Sequence, residues 1–64
     1  MKSENINYIK SHINGLQYQH TLMIEKLSTF PQGSMLEGTT KLKLENLSDD
    51  IKALRKAVQV LERL

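Results

Sequence analysis

The side chains best suited to bind a metal ion or act as a general base are two histidines, His12 and His20. They stand eight residues apart in a stretch with helical periodicity, which is about two turns of a helix. Imidazoles at that separation cannot reach one ion from the same helix, because chelation there needs the spacing H-x-x-x-H. The chain also has no cysteine, which excludes disulfides and thiolate sites. The sequence therefore predicts no metal site.

A second candidate for chemistry is the carboxylate pair Asp49-Asp50. Neighbouring positions on a helix point about 100° apart, so these carboxylates cannot share a proton or an ion. The sequence has no nucleophile with a base at a workable spacing and no glycine-rich phosphate loop. We therefore predict that the protein is not an enzyme and has neither a catalytic residue nor a cofactor.

A candidate binding surface lies on the back of the predicted first helix, around Gly15. Tyr8, Tyr18 and Lys26 project there, opposite the main apolar stripe. A glycine inside a helix costs ~1 kcal/mol relative to alanine, which suggests that something approaches the backbone closely at this point. A tolerated glycine, a second protomer and a flat ligand stacked on the tyrosines all fit the pattern.

The second half of the chain holds further candidate partners for an anion. Thr39 and Thr40 follow Gly38 near the start of the predicted second helix, and an opened turn there would form a small anion-binding nest. Arg55 and Lys56 lie farther along this helix, where they would face either a phosphate or solvent.

The elements that carry these residues are defined by apolar residues recurring in steps of three and four, the spacing of helices that pack along one stripe. The first ladder is Ile6, Ile9, Ile13, Leu16, His20, Met23, Leu27 and Phe30, and the second is Leu44, Leu47, Ile51, Leu54, Val58 and Leu61. Pro31-Gln32-Gly33-Ser34 interrupts any continuous helix between them. The pattern predicts an all-α protein: an antiparallel, coiled-coil-like hairpin forming one domain over residues 1–64, with helices over 4–30 and 34–64 and a connector over 31–34.

Capping residues mark the expected helix ends. Ser3 is a candidate N-cap of the first helix, and Pro31 stops it. Ser34 and Glu37 fit the capping box S-x-x-E at the start of the second helix, with Thr39 or Thr40 as a rival start.

His20 occupies a core position of the first ladder. One interpretation is a polar residue that fixes the register of the helices, as a buried polar side chain does in coiled coils. The other is a pH-sensitive or ligand-contacting residue.

The small size of the chain predicts a homo-oligomer, because a lone hairpin of 64 residues cannot enclose a core. A second apolar stripe on the second helix widens its apolar arc beyond what one neighbour can cover. This predicted oligomer interface consists of Ala53, Ala57, Val60 and Leu64.

Charge and hydropathy limit the other expected partners. The net charge of +2 is evenly spread, so polymeric nucleic acid is not expected as a partner. No apolar run is long enough for a signal peptide or a membrane span. We therefore expect no membrane association and a cytoplasmic location, in the host cytoplasm if the protein is phage-encoded.

Part of the second helix resembles a known family. Asn46-Leu47, Ala53-Leu54 and Ala57-Val58 fall at the offsets of the pattern H-L-x-x-x-x-x-A-L-x-x-A-V, which is typical of the phage anti-CBASS sponges. Members of that family are short helical hairpins that assemble into hexamers and trap cyclic oligonucleotide signals of bacterial immunity. The chain departs from the family in having Leu42-Lys43-Leu44-Glu45 where many members carry an aromatic-Ile-Ala-Arg run.

The resemblance implies an oligomer that sequesters a cyclic di- or trinucleotide between protomers. A tyrosine would stack on a base, cationic side chains would face the phosphates, and a threonine would donate hydrogen bonds. Tyr8 and Lys26 match the tyrosine and lysines with which the first helix of that family helps to hold its ligand. The full predicted set of ligand-binding residues is Tyr8, Tyr18, Lys26, Thr39, Thr40, Arg55 and Lys56. The alternative is a protein–protein interaction module whose second stripe grips a helix of a host protein.

Two other hairpin families are similar in fewer respects. Leu47-Ser48-Asp49-Asp50-Ile51-Lys52 resembles in part the signature of the sporulation aspartyl-phosphatase hairpins, but Lys52 stands where that family has its final aspartate. The repressor-of-primer class of RNA-binding hairpins is similar in size and shape, but its exposed basic face needs more positive charge than this chain has.

Overall fold

The computed structural model describes residues 2–64 as two helices packed against each other. Helix α1 spans Lys2–Leu27 and helix α2 spans Met35–Arg63. The pair forms a rod of 47 × 14 × 11 Å. The prediction of an all-α helical hairpin is confirmed.

The two apolar ladders form the contact between α1 and α2. The buried residues are Ile6, Ile13, Ile51 and Val58, and packed against them are Ile9, Leu16, Leu54 and Leu61. The other ladder residues, nearer the connector, are half-buried. No side chain of residues 3–64 is completely enclosed, so the hairpin core is one layer thick and firmest toward the chain termini.

The line of residues along which each helix contacts the other is called the seam. On α2 the seam extends beyond the predicted ladder toward the connector. Glu37 and Thr40 are half-buried and continue the alternating steps of three and four that lead to Leu44. Because both side chains are polar, an apolar pattern could not reveal them as seam positions.

Both predicted ends of the first helix differ from the structure. The helix begins at Lys2, so Ser3 lies inside its first turn and is not its N-cap. At the other end it stops at Leu27, three residues before the predicted end at residue 30. There the Ser28 and Thr29 hydroxyls donate to the carbonyls of Glu25 and Lys26 at 2.7 and 2.6 Å. The backbone amide of Thr29 also bonds three residues back, to Lys26 at 2.9 Å, which tightens the turn and ends the α-helix.

The connector is fixed by Gly33 and by the cap of α2. Gly33 has φ +82°, a left-handed conformation that favours glycine. Ser34 is the N-cap, and its hydroxyl accepts a hydrogen bond from the Glu37 amide at 3.2 Å. The Glu37 carboxylate in turn accepts from the Gly33 amide at 3.1 Å, one residue earlier than in the capping box, because the Ser34 amide donates to the Pro31 carbonyl at 3.1 Å.

The early start of α2 is confirmed, and the rival start at Thr39 or Thr40 is wrong. The Gly38 amide donates to the Ser34 carbonyl at 3.1 Å, and the helix is continuous from Met35 through both threonines. With Ser34 in place as the cap, the helix tolerates Gly38 in its second turn.

Candidate functional site

The antiparallel arrangement gives the hairpin two different flanks. On one flank Lys10 of α1 pairs with Glu62 of α2, with 3.5 Å between Nζ and Oε2. Two shallow grooves lie between the helices on this same flank, and both contain Gln17 and Arg55. We call this the basic flank.

Polar side chains surround the larger groove of the basic flank, which has a volume of about 440 Å³. Its lining is Gln17, His20, Thr21, Ser48, Ile51, Lys52 and Arg55. The neighbouring groove of about 370 Å³ is lined by Lys10, Ile13, Asn14, Gln17, Arg55, Val58 and Gln59. Both volumes fall within the ~300–1,000 Å³ range of small-molecule sites.

The cations of this flank are only partly neutralised. Lys10 is paired with Glu62, whereas neither Lys52 nor Arg55 has an ion-pair partner among residues 3–64. The amides of Gln17 and Gln59 and the hydroxyl of Ser48 line the same grooves. This combination of cations and neutral hydrogen-bonding groups suits a phosphate or carboxylate ligand.

Of the predicted ligand-binding residues, Arg55 is the one that the structure places in these grooves. Lys56, the next residue, is exposed and lines neither groove. Lys26 instead lines a separate, largely apolar hollow of about 470 Å³ on α1, with Gln19, Leu22, Met23, Glu25 and Thr29.

The two tyrosines are exposed and so are placed to contact another molecule, but Tyr8 is far from both Tyr18 and Lys26. Tyr8 and Tyr18 are 76% and 67% exposed. The helical rise separates Tyr8 from Tyr18 by about 15 Å and from Lys26 by about 27 Å along α1. Within one protomer the structure does not bring the predicted ligand set together.

The threonines near the start of α2 do not form an open nest. Because α2 is continuous through Gly38, its amides are engaged in the helix and the opened turn predicted there is absent. Thr39 is exposed, while Thr40 is half-buried in the seam. A ligand role for either threonine remains a prediction.

The predicted oligomer interface is exposed in the protomer. Val60 and Leu64 are 51% and 83% exposed, and Ala53 and Ala57 are exposed beside them. The hairpin partner α1 therefore does not cover this stripe.

Sequence reasoning missed most of the groove-lining residues, among them Gln17, Ser48, Lys52 and Gln59. The signal that could have identified them is their position, because each directly follows a ladder residue and therefore lies at the edge of the contact between the helices. They are ordinary polar residues, and only the pairing of the two helices shows that they share one flank.

Among residues 3–64, one titratable group has a clearly shifted pKa. The Gly33 amide donates to the Glu37 carboxylate and Lys41 lies 3.5 Å away, and these two partners hold the pKa of Glu37 below its ordinary value. This carboxylate belongs to the connector and the cap of α2. It therefore has a structural role and no evident chemical one.

Two searches for further features of the described residues were negative. Residues 2–64 contain no group of three or more His, Cys, Asp or Glu side chains placed to hold a metal ion. Neither α1 nor α2 is long and apolar enough to cross a membrane.

Comparison with protein-family models, with curated proteins and with solved structures gave no match for this chain.

Proposed function

We propose that this chain is a small, non-catalytic binding protein that acts as a homo-oligomer. The observation that carries the proposal is the uncovered apolar stripe of α2, in which Val60 and Leu64 are 51% and 83% exposed. A chain of this size is stabilised by self-association when it has no disulfide or metal. The thin core of the hairpin agrees with this need, because its firmly buried residues are Ile6, Ile13, Ile51 and Val58.

The ligand that we propose is a cyclic di- or trinucleotide, which the assembly would sequester, as the resemblance to the phage sponges implies. The basic flank supports an anionic ligand, because Lys52 and Arg55 line a groove of about 440 Å³ with neutral hydrogen-bonding groups beside them. Tyr8, Tyr18 and Lys26 do not line this groove. Tyr18 directly follows Gln17 of the lining, whereas Tyr8 and Lys26 would contribute from a second copy. Binding of this kind needs no catalytic group, and its proposed place is the cytoplasm.

The alternative proposal is an interaction module that grips a helix of a host protein. An exposed apolar stripe along one helix suits such a partner, because helix-in-groove recognition uses anchors spaced at three and four residues. The same stripe cannot be covered by a second copy and by a foreign helix at once. The two proposals therefore predict different assemblies.

Native mass spectrometry of the purified chain, before and after addition of cyclic di- and trinucleotides, tests both proposals. A discrete oligomer that gains nucleotide mass in fixed stoichiometry supports sequestration. An oligomer that gains none overturns the nucleotide ligand and leaves the oligomer proposal standing. A chain that stays monomeric at all concentrations overturns self-association and leaves the interaction module standing.

A matched pair of variants tests the groove in that experiment. Arg55→Ala removes a cation that lines both grooves and is expected to weaken nucleotide binding by roughly tenfold or more. Arg63→Ala removes the same charge at the exposed end of α2 and is expected to leave affinity nearly unchanged. Equal losses in the two variants would indicate only a general electrostatic attraction.

A further inference from the structure

Gly15 is a helix-interior glycine that nothing in its own protomer requires. A Cβ built on Gly15 meets no atom within 4 Å, and its φ does not lie in the left-handed region. The destabilising effect of glycine in a helix is thus not offset by a close contact or a special conformation inside the hairpin.

The pairing of the helices shows what shares that surface. The Lys10–Glu62 ion pair and both grooves lie on the basic flank, so the positions on the other side of each ladder meet on the opposite flank. That flank carries Gly15 and Tyr8 of α1 and the exposed stripe of α2. The register set by residues 10 and 62 places Gly15 about level with Ala57 and Tyr8 about level with Leu64.

Two features that appear separate in the sequence thus form one continuous surface, which we call the Gly15 face. Its uncharged members are Tyr8, Gly15, Ala53, Ala57, Val60 and Leu64, and the exposed His12 lies between Tyr8 and Gly15 on the same side of α1. Tyr8 and Leu64 are 76% and 83% exposed, and none of the six side chains is ionised at neutral pH. The face has two bulky residues toward the chain termini and two very small residues one heptad away.

We propose that the Gly15 face is the subunit interface between two copies of this chain, an inference that rests on the proposed self-association. A two-fold axis across the face would place Tyr8 and Leu64 of each copy over Gly15 and Ala57 of the other. Bulky groups then fill the gaps left by small ones, and the contact is self-complementary, as an isologous interface requires. The absence of a side chain at Gly15 makes room for the partner.

The area of the face also favours a second copy. Stable interfaces bury about 800 Å² per partner, more than two alanines, a valine and a leucine can supply. Tyr8 adds a large part of the ~150–250 Å² that an aromatic side chain can bury. The combined surface of both helices therefore supplies more of this area than the α2 stripe alone, and a second copy brings the same combined surface.

The test compares two glycines that differ in flank. Gly15→Gln places a long side chain in the proposed contact. Gly38→Gln places the same side chain in α2, on the side of the basic flank. A Cβ at Gly38 also meets nothing within 4 Å. Both changes favour the helix, so misfolding does not account for lost association. The dissociation constant of the assembly is measured for each by sedimentation equilibrium, with circular dichroism to verify helix content.

We expect Gly15→Gln to raise the dissociation constant of the assembly by roughly tenfold or more. The dissociation constant of Gly38→Gln should stay within about twofold of that of the unsubstituted chain. Tyr8→Ser is expected to weaken association in the same way, and Tyr18→Ser to leave it unchanged. Association of Gly15→Gln as tight as that of the unsubstituted chain would overturn the Gly15 face while leaving self-association intact. An unsubstituted chain that stays monomeric would overturn both.

Discussion

Lys10 Nζ lies 3.5 Å from Glu62 Oε2, joining the first third of α1 to the last turn of α2. Both side chains are 51% exposed, so the contact contributes little to stability by itself. Its significance is geometric, because it shows which residues of the antiparallel helices are level with each other. It also identifies the basic flank and, by exclusion, the Gly15 face.

Charge reversal tests this register. Lys10→Glu places two carboxylates together and is expected to lower the free energy of unfolding by up to about 1 kcal/mol at low salt. Adding Glu62→Lys forms an ion pair with the charges exchanged and should recover most of the lost free energy of unfolding. Urea unfolding of the two single variants and the double variant measures the coupling. Purely additive effects, or a coupling that does not fall with salt, would contradict the pairing.

The thin core predicts a strong dependence of stability on individual isoleucines. Ile13 is 6% exposed, so Ile13→Ala is expected to cost about 2–4 kcal/mol. Ile24 is the matched control, because it is 51% exposed on the same helix and its change to alanine should cost less than about 1 kcal/mol. Thermal unfolding followed by circular dichroism compares them at equal protein concentration. Similar losses in both variants would mean that an assembly buries Ile24 as well.

The connector predicts a specific loss of stability in acid. The pKa of Glu37 is lower in the folded chain than its ordinary value, so the ionised carboxylate stabilises the fold above pH 4.5, the ordinary value. That contribution is lost as the pH falls from there through the lowered native pKa. The Glu37→Gln variant lacks this contribution at every pH. The difference in melting temperature between the variant and the unsubstituted chain should therefore narrow toward pH 3. A difference that stays constant between pH 3 and 7 would show that the charge is irrelevant.

Replacing His20 with an apolar residue should raise stability but weaken the selection of a single register and oligomer. It is a half-buried ladder residue at the edge of the larger groove. Replacing it with leucine extends the apolar seam and is expected to add on the order of 1 kcal/mol. Because polar core positions select one register and one oligomer, we expect His20→Leu to form additional species in native mass spectrometry. A single unchanged species would favour the ligand-contacting interpretation, which nucleotide titration of the same variant would then examine.

The hairpin was predictable because hydrophobic spacing and a breaker are local properties of a sequence. Each ladder residue is buried or half-buried, as expected for a seam. The helix ends were less predictable, because they depend on hydrogen bonds between particular groups. The Ser28 and Thr29 hydroxyls end α1 early. The Ser34 amide donates to the Pro31 carbonyl and not to the Glu37 carboxylate, which accepts from the Gly33 amide.

The candidate site was predictable only in its parts. Arg55, Tyr8 and the α2 stripe were identified from residue type, yet which of them share a flank depends on the handedness and register of two helices together. Gln17 and Ser48 line a groove that no single-helix pattern reveals. For the same reason, Gly15 and Ala57 could not be joined into one surface before the pairing was known.

The position of the buried residues has a consequence for how the chain folds. Contacts near the connector close the shortest loops and form at the lowest entropic cost, but the half-buried residues there contribute the least burial. Ile6 and Ile13 of α1 are separated from Ile51 and Val58 of α2, the residues that contribute the most burial, by 38 to 52 positions in the chain, so their contacts close the longer loops. The hairpin is therefore expected to close from the connector outward through weak early contacts and to become stable late. The most slowly exchanging amides should lie beside the buried isoleucines, far from the turn where folding begins.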